Sequence, residues 1–213
     1  PSTIYAAGHR VMVSPDRRAT SEVISPELTT ADTMKIRIST ETTGGITPDV
    51  TGAETHSTIV ALDESPLVQG RLYAGTDDGN VWVRPAPDAE WRQVPHDRFR
   101  GVPANTWVSR VEPSAHVADR FYVSFDGHRD DDFTPYIYVT DDLGRRFRRI
   151  TDGLPTGAPD FVHVVREDPT NPELLFAGTD VGAYVSTNRG EDWTAFMEGL
   201  PTVPVHDLKI HPR

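Results

Sequence analysis

Cysteine is absent from the 213 residues, which excludes disulfides, thiolate catalysis and cysteine-ligated zinc. Positive charge is scarce: 21 Lys and Arg stand against 32 Asp and Glu, a net charge of −11. Like charges repel, so neither a nucleic-acid backbone nor an anionic membrane surface is an expected partner. No apolar run approaches the roughly 18 residues that cross a bilayer, and no membrane insertion is expected. Helical periodicity is missing from every window of about ten residues. The phosphate loop with Gly-Lys-Ser/Thr, the dinucleotide fingerprint and βαβ alternation are also missing. The chain opens at Pro1 rather than Met, so the lack of a secretory signal carries no weight. The hydrophobic share is 37%, low but clustered in short runs, which separates the chain from disordered ones. Punctuation is plentiful: 16 Gly and 18 Pro suit short strands joined by turns.

Those strands repeat. Leu72-Tyr73-Ala74-Gly75-Thr76-Asp77-Asp78-Gly79 matches Leu175-Phe176-Ala177-Gly178-Thr179-Asp180-Val181-Gly182, and an apolar strand follows each. Looser copies are Ile4-Tyr5-Ala6-Ala7-Gly8 and Phe121-Tyr122-Val123-Ser124-Phe125. After the second strand comes a further signature. Thr140-x-Asp142-x-Gly144-x-x-Phe147 and Ser186-x-Asn188-x-Gly190-x-x-Trp193 are full copies, Ser14-x-Asp16 keeps the beginning, and Arg84 to Trp91 keeps the aromatic end. Start points at 14, 84, 140 and 186 lie 70, 56 and 46 residues apart. The shortest spacing fits one four-stranded propeller blade of roughly 40–50 residues, and the longer ones imply insertions. A strand ending in a polar residue and often Pro precedes each unit, as in Val162-His163-Val164-Val165-Arg166-Glu167-Asp168-Pro169.

The expected fold is therefore all-β, built of four-stranded antiparallel propeller blades. Residues 1–24 form a partial blade, 25–57 an inserted loop, 58–96, 106–150 and 161–198 three blades, and 205–213 the first strand of the next. Either the split first and last pieces close a ring of four, or the chain is a stretch of a larger ring. An open stretch would leave bare strand edges, and poor solubility or assembly is expected of it.

The Ser/Thr-x-Asp/Asn-x-Gly-x-x-aromatic turns resemble the Asp-box (bacterial neuraminidase) repeat of sialidases, xyloglucanase-type glycosidases and sortilin-type receptors. Stretches such as Gly75-Thr76-Asp77-Asp78-Gly79-Asn80-Val81 are similar to large bacterial glycosyl-hydrolase-like or sortilin-like repeat proteins. The resemblance implies a stretch of a six- to eight-bladed propeller, in an extracytoplasmic setting, with the remaining blades as its partners. It implies no required cofactor. The box residues themselves read as structural: Ser14, Asp16, Thr140, Asp142, Ser186 and Asn188 tie the turn, Gly144 and Gly190 take positive φ, and Trp193 packs between sheets.

Propeller topology places the long connections, 25–57, 97–105, 126–135 and 151–160, on one face, opposite the box turns. That face carries the candidate site. The run Asp126-Gly127-His128-Arg129-Asp130-Asp131-Asp132 reads as a solvated acidic loop, a polar binding surface, a calcium site through Asp130, Asp131 and Asp132, or a source of catalytic carboxylate. Residues leading into the innermost strands sit near the channel mouth: Glu54, His56, Trp107, Asp160, His163 and His206. Ligand binding is expected of Glu54, His56, Trp107, His128, Arg129, His163 and His206, and any catalysis of Asp126 and Asp160. Sialidase action is not expected, since no arginine trio stands out and the net charge of −11 opposes an anionic ligand. Two functions remain: a binding or scaffold module for a glycan or peptide, and a glycosidase using loop carboxylates.

Overall fold

The computed structural model describes residues 3–16, 20–37, 56–157 and 160–211. Fifteen short strands form four antiparallel sheets, each ordered as its strands follow in the chain. The first holds β1 (Ile4–Ala7), β2 (Val11–Ser14) and β3 (Glu22–Val23). The second holds β4 (Ile59–Glu64), β5 (Leu72–Thr76), β6 (Val81–Arg84) and β7 (Arg92–Val94). The third holds β8 (Trp107–Pro113), β9 (Phe121–Gly127), β10 (Asp132–Thr140) and β11 (Arg148–Arg149). The fourth holds β12 (Val162–Glu167), β13 (Leu175–Thr179), β14 (Ala183–Ser186) and β15 (Thr194–Ala195). These are propeller blades. The α-helix among the described residues is the five-residue α1 (Thr33–Arg37).

Alternation puts Val81, Val83, Val108, Val111, Phe121, Val123, Phe125 and Tyr138 between the second and third sheets, and Ile137, Val139, Ile150, Val162, Val165 and Leu175 between the third and fourth. The innermost strand of one sheet lies against the second strand of the sheet before it, and a missing side chain permits that approach. A Cβ on Gly75 would lie 2.4 Å from Val108 Cγ1, and one on Gly178 would lie 2.3 Å from the Val205 carbonyl oxygen. In the third sheet the equivalent position is Ser124, whose hydroxyl meets Ser109 Oγ at 2.8 Å, while Ser109 donates to the Val162 carbonyl at 3.0 Å.

Each innermost strand carries one bulge at the same place. Pairing skips Val60 between Ile59 and Ala61, Ser109 between Val108 and Arg110, and His163 between Val162 and Val164. Beyond the bulge the register is common: Leu62 opposes Ala74, Val111 opposes Val123, and Val165 opposes Ala177.

The box turns are tied by side chains. Thr140 Oγ1 donates to Asp142 Oδ1 at 2.8 Å and accepts the Gly144 N–H at 3.0 Å, and Ser186 makes the matching bonds to Asn188 and Gly190, both at 2.8 Å. Partial burial acts against ionisation, yet the Arg146 N–H and the Thr140 hydroxyl hold the Asp142 carboxyl down to about 2. In the first sheet Ser14 still donates to Asp16, at 3.2 Å. The closing aromatic staples neighbouring sheets: Trp193 Nε1 donates to the Ile150 carbonyl and Trp91 Nε1 to the Ile24 carbonyl, each at 2.8 Å. Phe147 lacks that donor and packs on Phe99 at 4.6 Å and Phe121 at 5.5 Å.

One expectation fails in form. Residues 205–211 are not a strand. They lie along the fourth sheet, where the Val205 N–H donates to the Thr179 carbonyl at 2.8 Å and the Leu208 carbonyl accepts Arg166 Nε at 3.0 Å. No described strand lies beside them to share a ladder. Of the 25–57 insertion, Leu28 is fully buried and its carbonyl accepts Trp82 Nε1 at 2.7 Å, while the Thr30 N–H donates to Asp78 Oδ2 at 2.7 Å. Residues 38–55 of it, Glu54 included, lie outside the described residues.

A lock near the inner edge distinguishes the sheet junctions. Tyr122 OH donates to Glu167 Oε1 at 2.8 Å, and Tyr5 OH to Glu64 Oε1 at 3.4 Å. At the middle junction the acid's place is taken by Pro113, and the fully buried Tyr73 hydroxyl has no partner. Removing a hydroxyl bonded to a carboxylate costs about 2 kcal/mol, and removing an unpaired one costs nothing. Tyr122→Phe is therefore expected to lower unfolding stability by about that amount, and Tyr73→Phe to leave it unchanged or raise it by up to about 1 kcal/mol. Urea denaturation of the two variants checks this, and equal losses would contradict the assignment.

Candidate functional site

The turn after β9 and the starts of β8 and β12 bring Trp107, His128, Arg129, His163 and His206 into a single row. Its first pair is Arg129, whose guanidinium carbon lies 4.0 Å from the centre of the Trp107 ring. Both side chains start at sheet edges, Trp107 opening β8 and Arg129 within a 3₁₀ turn (His128–Asp130) that follows β9. Asp126 anchors this turn. Its Oδ1 accepts the His128 N–H at 3.0 Å and faces His128 Nδ1 at 2.6 Å, and its Oδ2 lies 3.8 Å from Arg129. The Asp126 side chain is only 7% exposed, so its carboxylate is spent on its own loop.

From there the row continues through rings. His128 stacks on Phe161 at 4.6 Å with planes 19° apart, Phe161 meets His163 edge-on at 4.7 Å, and His163 lies 4.3 Å from His206. His163 sits at the bulge of β12, which turns it out of the ladder and towards Asp180, 3.3 Å away. Burial, foremost, and the neighbouring His206 lower the His163 pKa, against the Asp180 and Asp126 carboxylates that favour its charged form.

Asp160, next to Phe161, is buried beneath Tyr184. Its Oδ2 accepts the Tyr184 hydroxyl at 3.2 Å, while its Oδ1 is buried without a partner. Burial, then the Asp160 charge and hydrogen bond, push the Tyr184 phenol up to about 12. Asp132 turns away from the row to accept the Thr134 N–H at 3.0 Å and the Tyr136 hydroxyl at 2.7 Å. The calcium reading of Asp130, Asp131 and Asp132 gains no support: among the described residues no group of three His, Asp or Glu side chains could hold a metal ion. His56 lies apart from the row, its Nδ1 3.1 Å from Ser57 Oγ. Phe161, Asp180 and Tyr184 belong to the site and went unnominated, because only the fold places them beside the histidines.

The inner strands carry a second polar feature that the loops hide in sequence. Arg110 lies between Asp63 at 3.9 Å and Glu112 at 3.6 Å, and Arg166 joins Glu112 at 2.6 Å to Asp207 at 2.7 Å. Asp63, Glu112, Arg166 and Asp207 border a groove of about 440 Å³. Burial, then the carboxylates of Asp63, Glu167 and Asp207, push the Glu112 carboxyl up to about 9, against a hydrogen bond from the Glu167 backbone. Arg110 and Glu112, the charges flanking Val111 within the strand, are the sequence signal for this belt.

No protein-family model matches the chain, and no curated protein matches it. Among solved structures, an ancestral GH74 enzyme aligns with a TM-score of 0.63 at 14% identity over 92% of this chain. The GH74 xyloglucanase from Xanthomonas campestris aligns at 0.61 and 18% over 91%. The extracellular domain of a one-component system from B. thetaiotaomicron aligns at 0.54 and 13%, also over 91%. At such identities the likeness is one of fold. This chain spans 22%, 27% and 21% of those three chains respectively.

The partly buried His163 imidazole gives a pH test. With its folded pKa below the ordinary 6.5, the stability His163 contributes is present above that value and lost as pH falls through the folded one. His163→Phe is expected to lose less stability than the parent between about pH 7 and about pH 5. Denaturant midpoints across that range check it, and parallel pH profiles would contradict it.

Proposed function

We propose that the chain is a propeller binding module that takes a glycan or peptide on the long-loop face. The observation that carries this reading is the row of planar groups from Trp107 and Arg129 through His128 and Phe161 to His163 and His206. Ring faces and a guanidinium plane suit sugar rings and peptide groups, which stack without needing charge. The condition of Asp126 also supports binding over turnover. A carboxylate held by an imidazole, an N–H and a guanidinium is a positioning group for the loop rather than a free acid or base.

The turns at Thr140–Phe147 and Ser186–Trp193 have the hydrogen bonds that the Asp-box resemblance implies, which supports placing the chain among such repeat proteins. Further blades then continue the ring. An extracytoplasmic setting is proposed alongside, supported by the fold likeness to an extracellular domain.

One observation favours glycoside hydrolysis as the second reading: Asp160 keeps a buried oxygen without a partner, as a carboxyl held for a substrate proton would. Glycan arrays and peptide libraries, together with hydrolysis assays on β-glucan and xyloglucan, separate the two. Binding without turnover is expected. Trp107→Ala is expected to weaken it about three- to tenfold, the worth of one stacked pair. Turnover that disappears in Asp126→Asn or Asp160→Asn would select the hydrolase instead.

A further inference from the structure

Trp107 and Asp126 form a seat that is filled without being satisfied. The two residues stand opposite each other across β8 and β9. The Asp126 side chain is 7% exposed, and its Oδ1 takes both contacts from His128, at 3.0 and 2.6 Å. Its Oδ2 accepts no hydrogen bond among the described residues. That oxygen faces the Arg129 guanidinium at 3.8 Å, beyond hydrogen-bond reach. A carboxylate oxygen so withdrawn from water ordinarily has a donor.

Arg129 is a weak occupant of this seat. It reaches in from the 3₁₀ turn, its guanidinium carbon 4.0 Å from the Trp107 ring centre and its side chain 45% exposed. A long side chain is held in one geometry for an exposed cation–π contact and a solvent-screened ion pair, each a small gain. The walls are fixed by comparison. Trp107 is in the ladder and Asp126 is tied to His128. At Gly127, next in the chain, an added Cβ would lie 2.9 Å from Asp132, so the turn is closely packed. We infer that Arg129 is a stand-in, and that the seat takes an arginine side chain of a basic peptide. The incoming guanidinium replaces that of Arg129 on the indole face and makes the Oδ2 hydrogen bond that Arg129 leaves unmade. This rests on the binding reading above and names the group that the site takes.

The chemistry of the seat selects that group. An aromatic face beside a carboxylate oxygen suits a flat cation, which stacks by its plane and donates by its edge. An ammonium has no plane to stack, and a sugar hydroxyl has no charge to offer the carboxylate. The net charge of −11 draws cationic ligands towards the protein. Asp130 and Asp131 follow Arg129 in the chain and are exposed, so the displaced guanidinium stays among carboxylates. Beyond the seat the row runs on from His128 to Phe161 at 4.6 Å and from Phe161 to His163 at 4.7 Å. Those rings give the residues flanking the arginine a surface to pack on, which favours a peptide over the free amino acid.

Arg129→Ala tests the inference by the sign of its effect. The probes are the acetylated and amidated tripeptides Gly-Arg-Gly, Gly-Lys-Gly and Gly-citrulline-Gly, each titrated by NMR into the unaltered chain and into the variant. Removing a tethered competitor is expected to tighten the arginine peptide about three- to tenfold. The lysine peptide is expected to bind more weakly than the arginine one. Citrulline, which keeps the shape and loses the charge, is expected to show no gain. Adding Trp107→Ala or Asp126→Asn to Arg129→Ala is expected to abolish the gain. Were Arg129 itself a ligand contact, Arg129→Ala would loosen the arginine peptide; that result, or an unchanged affinity, overturns the inference. So does citrulline binding as tightly as arginine. Glycan arrays and neutral peptides are read on the same two proteins. A glycan or neutral peptide bound without any arginine preference sinks the guanidinium seat and leaves the binding reading intact, whereas no binding of any kind sinks both.

Discussion

The stack of sheets depends on how closely each innermost strand approaches the sheet before it. Backbone and a single side chain fill the space at Gly75 against Val108 and at Gly178 against Val205, with no room for a Cβ. That approach sets the spacing of the blades, and the other junction contacts follow from it. The indole staples at Trp91 and Trp193 reach a neighbouring carbonyl only at this separation. So do the Tyr5–Glu64 and Tyr122–Glu167 bonds. The wide apolar fill between the second and third sheets, with Phe99, Phe121, Phe125, Phe147 and Tyr138 in mutual ring contact, takes the place of an indole staple there.

Much of this architecture was legible in the sequence because it repeats. The Gly-Thr-Asp-x-Gly copies and the box turns place strands and turns at recurring distances, and local hydrogen bonding by Thr140, Asp142, Ser186 and Asn188 is written in the chain itself. The bulges were not legible. Val60, Ser109 and His163 share no chemistry, so no residue type marks the position, and only pairing to the second strand exposes it. Residues 205–211 match the other inner strands in pattern, yet a strand exists only where a neighbour completes the ladder.

The candidate site was half legible. Sorting long loops to one face brought Trp107, His128, Arg129, His163 and His206 forward together, and they do form one row. What the sequence could not say was how the charges would be used. Asp126 looks like a free acid in a run of aspartates and is instead the hub of its own turn. Asp160, nominated beside it, carries a buried oxygen that nothing satisfies. Pairing partners, not residue type, separate the two: His128 and Arg129 of its own turn hold Asp126, while Tyr184 meets one oxygen of Asp160 and leaves the other alone.

The bulged position has a bearing on how such a scaffold diversifies. A residue outside the ladder contributes no rung to it, so the same register is kept with Val60, Ser109 or His163 at the bulge, and only the side chain's own bonds differ, such as those of Ser109 to Ser124 and the Val162 carbonyl. The same geometric slot, repeated in β4, β8 and β12, is thus filled by three unlike side chains while its neighbours are fixed by packing. A lineage of these repeats could reprogram what it recognises by editing one residue per blade, and could do so many times over without relearning how to fold.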